Sequence, residues 1–87
     1  MTLRIEQTSQ QDRTVLRLIG QIHSEDLEDF RAQTLGAGSG MVFDLDELTL
    51  VDAGVVRYLS ECEGRGVNLV NCPPYIREWI KREKDRQ

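Results

Sequence analysis

Val42-Phe43-Asp44-Leu45-Asp46-Glu47-Leu48-Thr49-Leu50-Val51-Asp52-Ala53-Gly54-Val55-Val56-Arg57-Tyr58-Leu59 is the stretch that decides the fold. Its first part, with Met41, is a short continuous apolar run of the kind that fills the middle of a sheet. An acidic turn follows, then a second short apolar run. Asp52 stands as the N-cap of a helix in which Val55, Val56, Leu59 and Cys62 recur at helical spacing. A strand feeding a helix N-terminus is where an α/β domain presents its function.

Toward the N-terminus, Leu3-Arg4-Ile5-Glu6-Gln7 alternates apolar and polar residues with period two, the pattern of a half-buried strand. Ser9-Gln10-Gln11-Asp12 punctuates it, and a longer strand runs from Val15 to about Ile22. So short a polar link predicts an antiparallel hairpin. Ser24 is the expected N-cap of a first helix, with Glu25 and Asp26 in the turn where the dipole favours negative charge. Leu27, Phe30, Ala32 and Thr34-Leu35 give that helix a moderate apolar stripe, and Gly36-Ala37-Gly38-Ser39-Gly40 ends it.

Toward the C-terminus, Gly64 and Gly66 close the Asp52 helix, one of them in a left-handed cap. Val67-Asn68-Leu69-Val70 is the last strand, and Pro73-Pro74 opens a third helix. Ile76, Trp79 and Ile80 form its inner face, with Trp79 expected as the main aromatic core anchor. The order β-β-α-β-α-β-α predicts an α/β fold: a small mixed sheet of about four strands with about three helices. The last two strands should be parallel neighbours through a right-handed crossover. Residues 1–87 read as a single domain, with 85–87 a frayed tail.

Hydrophobic residues make up 39% of the chain and charged ones 30%, an ordinary globular composition. The net charge of -4 argues against a nucleic-acid binder, which needs a basic face, and favours a basic partner surface. With no apolar run near the ~20 residues of a membrane span and no signal peptide, the expected location is cytoplasmic, without direct membrane insertion. Cys62 and Cys72 fit no metal spacing and read as reduced thiols in or near the core.

No catalytic apparatus is assembled. Ser9, Ser24, Ser39 and Ser60 have only His23 as an imidazole base, and His23 reads as a surface residue near a helix start. Asp44, Asp46, Glu47 and Asp52 surround one turn, but nothing orders them into a calcium loop. They read as a solvated acidic rim or an acidic protein-contact surface. The Gly36–Gly40 segment follows a helix and precedes a strand, the reverse of a phosphate cradle, and is a connector. In the last helix Arg77, Lys81, Arg82, Lys84 and Arg86 alternate with Glu78, Glu83 and Asp85, as on a solvated face with i,i+4 pairs. No cofactor or metal is expected.

The strand order, Leu18-Ile19-Gly20-Gln21-Ile22, Val42-Phe43-Asp44-Leu45, Leu50-Val51-Asp52, Arg57-Tyr58-Leu59 and Val67-Asn68-Leu69-Val70 together resemble the STAS family, the sulfate-transporter and anti-sigma-factor-antagonist domain. Antagonists of that family carry Asp-Ser-Ser-Gly or Asp-Ser-Ala-Gly at the start of the helix. The resemblance implies a serine there that a partner kinase, itself the anti-sigma factor, phosphorylates. Asp52 matches the aspartate, but Ala53, Gly54 and Val55 stand at the next three positions. Pairing Gly54 with the family's glycine instead requires a one-residue deletion, and no phospho-acceptor remains in either alignment. Thr49 and Ser60 are the nearest hydroxyls in sequence, three residues before the aspartate and two turns into the helix.

The resemblance therefore implies a non-enzymatic protein-binding module of bacterial partner switching, lacking the phospho-acceptor serine. Its partner would be an anti-sigma factor or related kinase. Asp52 would cap the helix, Ala53 and Gly54 would leave a low surface for close approach, and Asp46, Glu47 and Arg57 would supply polar contacts. An accessory cytoplasmic subunit of a membrane transporter is the alternative, and nucleotide or small-ligand binding a third reading that no phosphate cradle supports. The partner's identity and the oligomeric state are not written in the sequence.

Overall fold

The computed structural model describes residues 3–34 and 40–85. Strand β1 (Leu3–Gln10) and strand β2 (Arg13–Ile22) form an antiparallel hairpin paired from Leu3↔Gly20 to Gln10↔Arg13. Its two-residue loop, Gln11-Asp12, places Gln11 at φ 51, so the strands run closer to the turn than the polar cluster from Ser9 suggests. A 3-10 turn (Ser24–Asp26) leads into helix α1 (Leu27–Gln33). Strand β3 (Met41–Asp44), strand β4 (Leu48–Val51), helix α2 (Ala53–Gly64), strand β5 (Asn68–Val70) and helix α3 (Pro74–Asp85) follow.

The described residues thus hold five strands and three α-helices in a mixed α/β arrangement, one strand more than the sequence pattern counted. The extra one is β4, the second apolar run of the opening stretch. Long strand β2 makes room for it. Its first half pairs in parallel with β3 (Thr14–Arg17) and its second half in parallel with β4 (Gly20–Ile22). The register shifts between Gly20 and Gln21, where Gly20 takes φ 95, a conformation costly for a residue with a Cβ. Gly20 N–H donates to the Glu47 carbonyl (3.0 Å) and its carbonyl accepts from Thr49 Oγ1 (2.9 Å), tying the acidic turn to β2. β3 pairs in parallel with β5, the expected neighbours joined through a helix.

Leu16, Leu18 and Ile22 of β2, Phe43, Leu45, Val55, Leu59, Ile76 and Ile80 close into one core. Its aromatic centre is Phe30, 5.6 Å from the Phe43 ring and edge-on to Tyr58 at 5.4 Å. Trp79, expected to anchor the core, is only half-buried at its margin, because Ile76 and Ile80 occupy the innermost stripe of α3. Thr34 is buried after the last turn of α1 and its hydroxyl bonds the Phe30 carbonyl (2.9 Å) and Tyr58 Oη (2.5 Å), so the phenol enters the core with a partner.

Pro73 precedes α3 as the residue before its first turn, and its carbonyl accepts from Ile76 and Arg77. Gly66 takes the left-handed conformation (φ 103) after α2, as the sequence implied, while Gly64 remains helical. Asp85, the first residue of the expected tail, is the last of α3. The connector Gly36-Ala37-Gly38-Ser39 and the last two residues lie outside the described residues.

Candidate functional site

The parallel strands β2, β3, β4 and β5 all end toward one side of the sheet, and the opening stretch supplies most of that side. Asp52 is the N-cap of α2, with extended backbone and its Oδ1 accepting from Val55 N–H at 3.1 Å. The carboxylate does more than cap. Its Oδ2 accepts from Ser24 N–H (2.7 Å) and its Oδ1 from Ser24 Oγ (2.8 Å), so one side chain joins the α2 N-terminus to the 3-10 turn. Partial burial alone would raise its pKa. The hydrogen bonds from Ser24 and Val55, with nearby His23, outweigh that and hold the carboxyl below the ordinary 3.8.

Ser24 therefore does not cap α1, as its sequence position suggested. The turn is capped by His23, whose N–H donates to Asp26 Oδ2 at 3.0 Å, leaving Ser24 to face α2. Gly54 is half-buried beneath it. A Cβ on Gly54 would overlap Ser24 Oγ and lie 3.3 Å from Ser24 Cβ. Gly54 is thus a small residue because Ser24 fills the space above it, not a gap left for an outside molecule.

Asp46 and Glu47 are exposed in the turn between β3 and β4. Asp44 receives Asp46 N–H (3.0 Å) and Asn71 Nδ2 (3.2 Å), and Glu47 pairs with Arg17 at 2.8 Å. Arg57 is separated from this group: its Nε pairs with Glu83 of α3 at 3.5 Å, on the rim of a groove of about 320 Å³ between α2 and α3. The structure sets Asp46 and Glu47 just before β4 and Asp52, Ala53 and Gly54 just past its end, a strip that runs the length of that strand, and sends Arg57 toward α3. A second cleft, about 190 Å³, lies between β1 and α1, lined by Leu3, Ile5, Phe30, Asp26, Asp29 and Gln33. Among the described residues no three His, Cys, Asp or Glu side chains gather as a metal site.

Among the described residues three large apolar side chains stand out from the surface: Leu50 (44% exposed), Tyr75 (48%) and Val70 (37%). Leu50 lies in β4, Val70 ends β5 and Tyr75 is in the first turn of α3. The Tyr75 hydroxyl donates to the Thr49 carbonyl at 2.6 Å, next to Leu50. Val70 precedes Asn71, the partner of Asp44. Sequence reading took Ser24 for a helix cap and gave no contact role to Leu50, Val70 or Tyr75. Ser24 and Tyr75 reach this segment through hydrogen bonds to partners 28 and 26 residues away, which no local pattern announces.

No protein-family model and no curated protein sequence matches the chain. Solved structures do. An anti-sigma-factor antagonist STAS domain from Rhodobacter sphaeroides superposes with a TM-score of 0.66 at 18% identity, covering 80% of this chain and 87% of that one. The chain has a STAS-like fold. The anti-sigma factor antagonist SpoIIAA in its unphosphorylated form shares this STAS-like fold with a TM-score of 0.63 at 21% identity, covering 91% of this chain and 81% of that one. So does an uncharacterized protein of the DUF3478 family with a SpoIIAA-like fold from Shewanella loihica PV-4, with a TM-score of 0.51 at 17% identity, over 98% and 79% of the two chains. The STAS-like domain contains no described helix long and apolar enough to cross a membrane.

Proposed function

We propose that this chain is a non-enzymatic protein-binding module of the anti-sigma-factor-antagonist kind, acting in the cytoplasm and forming a single domain. It docks a partner through the strip of Ser24, Asp46, Glu47, Leu50, Asp52, Ala53, Gly54 and Tyr75. The observation that carries this reading is the exposure of the apolar side chains Leu50 and Tyr75, with the Tyr75 hydroxyl bonded to the Thr49 carbonyl next to Leu50 on the strand that follows the acidic turn. Apolar anchors inside a charged rim are how protein interfaces gain affinity, and the ends of parallel strands are where α/β folds bind.

The partner is an anti-sigma factor or related kinase with a basic rim around an apolar groove. Asp46 and Glu47 steer the encounter, and Leu50 and Tyr75 fill the groove. Arg57, turned toward Glu83, lies at the margin of the contact. Two of the solved structures that share the fold are named as anti-sigma-factor antagonists, which supports the same class of partner here.

The test is capture of the kinase-like anti-sigma factor from the same cell by purified chain. Leu50→Ser with Tyr75→Ser should weaken capture by about thirtyfold, the loss of about 2 kcal/mol expected for two interface anchors. Arg4→Ala, on exposed β1, should leave capture unchanged. Equal binding by the double variant and the wild type, with both folded by circular dichroism, would overturn the assignment.

A further inference from the structure

We propose that β1 is a self-association edge, through which two copies of this chain join antiparallel about a two-fold axis into one continuous sheet. β1 ends the strand order β1-β2-β3-β5, and among the described residues no strand pairs with its outer edge. It is eight residues long and holds no proline or glycine. An edge open at this length is a template for another strand, and proteins that stay apart shorten, bulge or break it. Here the pairing with β2 runs without a shift from Leu3 to Gln10, so no bulge turns the edge aside.

Which backbone groups point outward follows from β2. Thr14 N–H donates to the Gly40 carbonyl at 3.2 Å and Gly20 N–H to the Glu47 carbonyl at 3.0 Å, both on the side away from β1. Backbone groups alternate sides along a strand, so Arg13, Val15, Arg17 and Ile19 are the residues that bond β1. They stand opposite Gln10, Thr8, Glu6 and Arg4. Leu3, Ile5, Gln7 and Ser9 therefore leave their N–H and C=O groups at the open edge. A second copy can bond only through these odd-numbered residues, which limits the registers.

A two-fold axis at Ile5 sets Ile5 opposite the partner subunit's Ile5 and Leu3 opposite the partner subunit's Gln7, all with outward backbone groups. Arg4 then faces the partner subunit's Glu6, and Glu6 faces the partner subunit's Arg4. These are non-bonded positions, where Cα atoms approach to about 4.5 Å and side chains meet most closely. Arg4 already pairs with its own Glu6 at 3.1 Å, with both side chains open to solvent. Association completes a square of alternating charges, each cation between two carboxylates. Moving the axis onto Arg4 or onto Glu6 sets like charges opposite each other, and an axis at Gln7 leaves both charges facing uncharged residues. Charge thus selects both the occupant and the register, because the edge is complementary to itself. On the other face Leu3 and Ile5 are half-buried beside the cleft to α1, and the contact at Ile5 takes more of that apolar surface from water. β4 joins the opposite side of β2, so the docking strip along it stays free in both copies.

The test is light scattering and sedimentation of the purified full chain over a wide range of concentration. Expected is a dimer that gives way to monomer on dilution. Arg4→Glu and Glu6→Arg should each raise the dissociation constant about tenfold or more, since attractive cross-strand pairs become repulsive. Mixed in equal amounts, the two variants should recover a heterodimer of nearly wild-type affinity, which damage to the fold cannot produce. Gln7→Pro removes a donor that points only outward and spares the hairpin, so it should give a monomer with unchanged circular dichroism. A wild type that stays monomeric up to the millimolar range overturns the proposal. So does a dimer that Arg4→Glu and Gln7→Pro both leave intact, or a mixture of the two folded charge variants that remains monomeric. Capture of an anti-sigma partner is independent of each of these outcomes, so the docking reading is decided separately.

Discussion

Gly54 shows how one atom's space can carry more meaning than a residue's type. Its backbone is ordinary helix, so no unusual dihedral requires glycine there; Ser24 does. Gly54→Ala should gain about 1 kcal/mol of helix propensity, yet it displaces Ser24 Oγ from Asp52 and forfeits a charge-assisted hydrogen bond of about 1.5–3 kcal/mol. The expected outcome is a net loss of about 1 kcal/mol in urea melts, the bond being partly solvated. In a Ser24→Gly background the same change should be neutral or stabilising. Additive effects in the four-member cycle would mean that Ser24 and Gly54 are not coupled. The capping role of Asp52 was legible in the sequence because it follows from neighbours three residues apart. The contact with Ser24 was not, since it depends on which strand β4 joins.

Among the elements, α2 and α3 are clasped by charge as well as by core packing. Glu63, on α2, accepts from Arg77 Nη1 at 3.2 and 3.1 Å and pairs with Lys84 Nζ, and Arg57 pairs with Glu83 nearby. Sequence reading placed these cations on a solvated face with i,i+4 partners. That holds for Arg82 and Glu78, whereas Arg77 and Lys84 reach across to the other helix. Period within one helix cannot reveal a partner on the next. Glu63→Gln should cost about 1–2 kcal/mol, because it leaves two cations without their shared acceptor. Equilibrium melts would show it, and a loss no larger than that of Glu78→Gln would make the clasp an ordinary surface contact. The strand β4 was missed for a related reason. Its burial runs buried, exposed, exposed, buried, which lacks the strict alternation of a half-buried strand. The hairpin and the two long helices were legible because each has a clear periodic face, and β3 because it is a continuous apolar run.

At the scale of the whole molecule, the two shifted carboxylates set how stability follows pH. Burial would raise the pKa of Glu63, but the bonds from Lys84 and Arg77 outweigh it and hold the group below the ordinary 4.5, as Ser24 and Val55 hold Asp52 below 3.8. A carboxyl with a lower pKa in the folded state binds fewer protons there than in the unfolded chain. Its contribution is present above the unfolded value and is lost as pH falls through the folded one. Neither group should change stability between pH 7 and about 5, and both should withdraw it from about pH 4.5 downward. Cys62 and Tyr58 act at the other end. Burial raises both above their ordinary 9.0 and 10.0, so the unfolded chain ionises first and stability falls as pH rises past about 9. Denaturant melts of the wild type and of Asp52→Asn with Glu63→Gln across the acid range should therefore converge. The double variant begins less stable at pH 7 and loses less on acidification, so the gap closes below pH 4. A gap that stays constant from pH 7 to acid would mean that neither carboxylate is more acidic in the folded protein. The cap on α2 and the clasp on α3 would then act through shape alone.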